Sequence, residues 1–105
     1  MPFLFIRFVY PTHKIDEVVK KNLEIIPNYP PDPSRGETVV QAARGVEQGI
    51  ESLTIFEVKQ GKFDETMATW MKIAAEFRNI EGLEYSIEVW ATNPEAMGSL
   101  GLTPP

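Results

Sequence analysis

The first strand-like segment of this chain carries large apolar side chains on both of its faces. Residues 2–10 are rich in Phe, Ile, Val and Tyr, and Pro11 stops the run. With the two-residue repeat of a strand, one face shows Leu4, Ile6, Phe8 and Tyr10, and the other Phe3, Phe5, Arg7 and Val9. A strand that is apolar in both directions belongs inside a sheet, with something packed on each side of it. The rest of the chain has to supply its neighbours and its cover.

Thr12 can cap a helix through its hydroxyl, and Ile15, Val18, Val19, Leu23 and Ile26 then form one stripe at helical spacing, ended by Pro27. Prolines at 27, 30, 31 and 33 make residues 27–37 a stiffened loop. Residues 37–50 fit two patterns. Val39, Ala43, Val46 and Ile50 make a helical stripe, while Val40, Ala42, Arg44 and Val46 make one face of a strand. We favour a hairpin, turning near Glu47-Gln48-Gly49 into a strand over 52–59, because it gives the other strands a fourth partner.

Gly61 breaks the chain, and Asp64 is a candidate N-cap just after it. Phe63, Met67, Trp70, Met71, Ala74 and Phe77 then recur with the clearest helical period in the sequence, which assigns Met67, Trp70 and Met71 to the core. Gly82 suits the C-terminal end of that helix. Residues 83–92 alternate as a strand, with Tyr85, Ile87 and Val89 on an apolar face under a helix and Glu84, Ser86, Glu88 and Trp90 on a mixed one. Asn93-Pro94 has the form of an N-cap followed by proline at N1, for a short helix over 94–98. Residues 98–105 are too rich in Gly and Pro to be regular.

The order β-α-β-β-α-β within 105 residues predicts a single ferredoxin-like α+β domain over 1–105, with a four-stranded antiparallel sheet and helices on one face. The other face then collects Phe3, Phe5 and Val9 around Arg7, and Trp90 among Glu84, Ser86 and Glu88. To these the third strand adds either Leu53, Ile55 and Glu57 or Thr54, Phe56 and Val58. A contiguous apolar patch of this kind marks an interface or a ligand cavity. Burying one Phe or Leu is worth about 1.5–3 kcal/mol, so a homodimer pairing sheet to sheet with two-fold symmetry is expected.

The opening Pro2-Phe3-Leu4-Phe5-Ile6-Arg7-Phe8 strand, the helix over 63–77, the closing strand over 85–90 and the element order make the chain resemble the dimeric α/β-barrel superfamily. The resemblance covers nearly the whole chain and rests on no short motif. It implies a face-to-face dimer and a cavity between sheet and helices or between two sheets. The wider group includes antibiotic-biosynthesis-type monooxygenases, haem-degrading proteins, lactone isomerases and ligand-binding regulatory domains, so the chemistry stays open.

Composition narrows that chemistry. A net charge of −5, with Lys20-Lys21 the one adjacent basic pair, argues against nucleic acid and anionic membranes as partners. The absence of cysteine removes disulfides, zinc–thiolate sites and thiol nucleophiles, and the single histidine, His13, removes multi-histidine metal sites. No nucleotide-binding or hydrolase motif is present, and no cofactor is expected. Residues 1–7 lack a basic n-region and place an arginine in their apolar stretch, and no apolar run nears the roughly 20 residues a membrane span needs. A cytoplasmic location is the expectation.

Arg7 is the oddest placement in the chain, because a guanidinium among apolar groups must be paired. Glu57, Glu84 or Glu88 can supply the carboxylate, and Arg7 is also a candidate anchor for an anionic or carbonyl group. Phe5, Arg7, Arg44, Glu57, Glu88 and Trp90 are therefore the expected ligand-binding residues, with Tyr10 and His13 as candidates for proton transfer. Glu84 and Glu88 lie roughly 13 Å apart along a strand, too far for a paired acid and base. The expected function is binding of a small organic molecule in a cavity beside the sheet. Cofactor-free monooxygenase- or isomerase-like catalysis and a non-catalytic dimerisation module are the alternatives.

Overall fold

The computed structural model describes residues 1–102. Strands β1 (Phe3–Tyr10), β2 (Gly36–Val46), β3 (Gly49–Val58) and β4 (Glu84–Trp90) form one antiparallel sheet in the order β2-β3-β1-β4. Helix α1 (Ile15–Ile25) follows β1, α2 (Phe63–Ala75) follows β3, and α3 (Asn93–Ser99) follows β4. This is the expected α+β arrangement, consistent with a ferredoxin-like fold, with a short third helix appended. The doubly apolar strand β1 is indeed interior, paired on both sides.

The ambiguous stretch is a strand. β2 and β3 are joined by a tight turn at Glu47-Gln48, and Gly49 closes it with φ +137°. A Cβ at Gly49 would come within 2.3 Å of the Tyr10 carbonyl oxygen, so this corner needs a residue without a side chain. Between Thr38 and Val40 the register slips by one, leaving Val39 without a partner in β3.

Directly opposed residues share a sheet face. On the helix side, Leu4 faces Phe56 and Val89, and Ile6 faces Thr54 and Ile87. Leu4, Ile6 and Val58 are fully buried there, packed by Phe63, Met67 and Trp70 from α2. A second cluster joins Ile25 of α1 to Phe77 and Ile80 beyond α2, and Phe8 touches both clusters.

Several local expectations need correction. Thr12 caps no helix: it opens a 3-10 turn, Thr12–Lys14, which Lys14 N closes on the Pro11 carbonyl at 2.9 Å. Asp64 lies inside the first turn of α2, whose N-cap is Lys62, with no side-chain cap bond. Thr92, rather than Asn93, caps α3, because the reciprocal bond needs a Glu three residues on, and Glu95 is three after Thr92. Thr92 Oγ1 accepts from Glu95 N at 3.2 Å, while Glu95 Oε1 accepts from Thr92 N at 2.9 Å. Gly98 and Ser99 belong to this helix, so the irregular tail starts later than 98, and residues 103–105 lie outside the described part.

The helices also sit differently from the stripes read in the sequence. In α1 it is Val18 and Ile25 that meet the core, while Ile15, Val19, Leu23 and Ile26 are exposed. The core contact is made along one edge of a wide apolar arc, because α1 reaches the rest of the fold through Phe77, Ile80 and Tyr29. Met71 is exposed as well, since Trp70 and Met67 already fill the space over Leu4 and Ile6. Tyr85 shares the helix side with Phe8, yet on edge strand β4 it is half exposed rather than core.

The result is a thin, spread molecule. Its radius of gyration is 15.5 Å, against about 13 Å for a compact domain of this length. Its accessible surface of 7135 Å² exceeds the about 5,900 Å² expected of a compact monomer of this mass.

Candidate functional site

On the side of the sheet away from the helices, none of the described strand residues is buried. β1 contributes Phe3, Phe5, Arg7 and Val9 to it, and the register places Leu53 opposite Arg7 and Ile55 opposite Phe5. Of the two sets open to the third strand, Leu53, Ile55 and Glu57 therefore occupy this face. β4 adds Ser86 opposite Arg7, Glu88 opposite Phe5 and Trp90 opposite Phe3.

Arg7 finds its carboxylate in Glu88: Nε donates to Oε1 at 2.8 Å, diagonally across the β1–β4 pair. The hydrogen bond to Glu88 holds the guanidinium firmly charged, against the opposing effect of partial burial. Beside it, the rings of Phe5 and Trp90 stack at 5.1 Å. A charged pair and an aromatic pair thus share the centre of one open surface.

Arg44 lies on the same face, towards the hairpin end, and Nε donates to Glu51 Oε1 at 2.6 Å across β2 and β3. Glu51 also stands diagonal to Arg7 and adds to its stabilisation. Sequence reasoning missed Glu51, although stepping back in twos from Glu57 reaches it. Glu57 sits at the opposite end, opposed by Phe3 on one side and Glu37 on the other, and does not meet Arg7.

Tyr10 and His13 do not join this group. Tyr10 is buried on the helix side of the sheet, and His13 is exposed in the 3-10 turn beyond it. Two groups on opposite sides of a sheet cannot act on one small molecule, so Tyr10 and Arg7 do not form a single catalytic set.

No protein-family model, curated protein or solved structure matches this chain.

On the helix side a groove of about 960 Å³ opens between the proline-rich loop, the start of β2 and α2. Tyr29, Pro30 and Pro33 line one wall, and Phe56 and Trp70 the other. Arg35 reaches in from the end of the loop, donating through Nη1 to Thr69 Oγ1 at 2.9 Å. Asp32, whose carboxyl is lowered by hydrogen bonds from the Ser34 hydroxyl and amide, holds the loop end in shape. None of the site residues expected from the sequence lines this groove. Its one sequence signal is the loop itself, with prolines at 30, 31 and 33. Among the described residues, no three His, Asp or Glu side chains gather as a metal site, and no helix is long and apolar enough to cross a membrane.

Proposed function

We propose that this protein works as a homodimer that binds a small organic molecule beside its sheet, the two copies pairing through the open sheet face. The carrying observation is that face: Phe5, Leu53, Ile55 and Trp90 surround the Arg7–Glu88 pair, and none of these residues is buried. The surface in excess of a compact monomer is about 1,200 Å², enough to supply the roughly 800 Å² that each partner buries in a standard interface.

Charge favours a second copy as the occupant. The face carries both signs, in Arg7 and Glu88 near its centre and in Arg44 and Glu51 towards the hairpin, so a two-fold related copy offers each charge its opposite. Sheet-to-sheet packing brings two such faces about 10 Å apart, a spacing that large interdigitating side chains fill.

Sedimentation equilibrium tests the pairing. The wild-type chain is expected at twice 11.9 kDa, and Leu53→Glu, which puts an unpaired carboxylate at the centre of the face, at the monomer mass with unchanged circular dichroism. A wild-type protein that stays monomeric overturns the pairing.

A further inference from the structure

We propose that the groove between the proline-rich loop and α2 is where the small molecule binds, and that it takes an uncharged, flat ring compound carrying a carbonyl oxygen. This rests on the small-molecule reading above and is independent of the pairing of the sheet faces.

The size and walls of the groove suit such a ligand. A volume of about 960 Å³ lies at the upper end of the about 300–1,000 Å³ of small-molecule sites. Phe56 and Trp70 meet edge to face, with centroids 5.8 Å apart and planes at 65°, and Tyr29 joins the puckered proline rings of the loop in lining the groove. Aromatic faces among the lining favour a planar guest.

The polar end specifies what the guest must carry. One buried side-chain atom there has no polar partner, Thr66 Oγ1, while Arg35 Nε makes no hydrogen bond but is held by two carboxylates at ion-pair distance. Thr66 is 2% exposed, yet it lines the groove from the buried side of α2. One turn on, Thr69 is fully used: its hydroxyl accepts from Arg35 Nη1 and donates to the Glu65 carbonyl at 2.9 Å. Thr66 makes no matching bond to its own preceding turn, although a helical threonine can do so. The Thr66 hydroxyl is a donor in want of an acceptor, and a carbonyl oxygen supplies one.

The surrounding charge decides against an anion. Arg35 Nε lies 3.4 Å from Asp32 Oδ2 and 3.4 Å from Glu65 Oε2, and Lys62 Nζ lies 3.2 Å from Glu65 Oε1. Two cations are thus matched by two carboxylates, and a third carboxylate or a phosphate arriving at Arg35 would meet both. An ammonium ion brings no acceptor for the Thr66 hydroxyl. A neutral carbonyl meets neither objection.

Coumarin, flat and uncharged with one lactone carbonyl, is the probe. 2H-chromene removes the carbonyl from the same rings, and coumarin-3-carboxylate adds a charge. Titration of the full chain, followed by amide and indole resonances, is expected to show saturable coumarin shifts at Thr66, Thr69 and the Trp70 indole. The two analogues should bind about tenfold more weakly, as should coumarin to Thr66→Val, which keeps the shape and removes the hydroxyl. Thr66→Ser, which keeps the hydroxyl, should bind coumarin as the wild type does. Equal affinity for coumarin and 2H-chromene, or for wild type and Thr66→Val, overturns the carbonyl contact. Shifts confined to Phe5 and Trp90 overturn the groove while the small-molecule reading stands. If none of the three probes shifts either face, that reading falls too.

Discussion

Phe5 and Trp90 stack across β1 and β4 with their ring planes 29° from parallel, on the sheet face away from the helices. Trp90 keeps 50% of its surface in water. Aromatic groups so placed cost a monomer solubility and serve a partner as anchors.

Trp90→Ala should therefore weaken self-association more than it weakens the fold. A central anchor of this type is worth about 2 kcal/mol, which raises the dimer dissociation constant roughly 30-fold. Sedimentation velocity over a dilution series reads that shift. An unchanged dissociation constant would place Trp90 outside the interface.

The Arg7–Glu88 pair should change its worth with its surroundings. In a monomer both side chains are about a third exposed or more, and such a pair contributes at most about 1 kcal/mol. A double-mutant cycle of Arg7→Met and Glu88→Gln in the monomeric Leu53→Glu background is expected to give a coupling below that value. The same cycle in the wild-type background should give a larger one, because a covering copy removes the screening water. Equal couplings would mean that the pair stays wet.

Glu95 should titrate far below an ordinary glutamate. The chain's terminal ammonium, first, and the Thr92 backbone amide, second, hold its carboxyl down at about 2. A depressed native pKa stabilises the fold fully above the unfolded value, and that contribution is lost as pH falls from there through the folded pKa. α3 should accordingly loosen between about pH 4.5 and 2, and its carbon-detected titration should have a midpoint near 2. A midpoint at the ordinary value would remove the contact with the terminus.

Two substitutions on the helix side should part sharply. Ile6→Ala deletes a fully buried side chain between β3 and β4 and should cost about 2–5 kcal/mol in urea unfolding. Met71→Lys, on the outer side of α2, should change stability by less than about 0.5 kcal/mol. A large loss at Met71 would mean that α2 is rotated towards the sequence stripe.

The strands were the legible part of this chain. Alternation in β1 and β4 identified both faces of each, and an arginine among apolar neighbours called for a carboxylate from Glu57, Glu84 or Glu88, of which strand register selects Glu88. The hairpin was legible only through its consequences, because Val46 fits either period. Helix orientation was not legible in the same way. An apolar arc on α1 wide enough to contain Ile15, Val18, Leu23 and Ile25 is compatible with several rotations, and the edge that meets Phe77 is set by tertiary packing that spacing does not encode. The groove was invisible for a related reason. Its walls come from the loop, β3 and α2, segments that spacing rules treat one at a time.

The unpaired Val39 gives β2 a further property. β2 is an outer strand, exposed over most of its length, and a long regular edge would offer its free amides and carbonyls to any other chain. The extra residue breaks the hydrogen-bonding repeat near one end, and Arg44 places a charge near the other. A strand added from outside would lose register after a few residues, which makes the β2 edge a poor template for edge-to-edge stacking into fibres. On the proposed pairing, association would use the flat of the sheet, where one partner closes the surface and assembly stops.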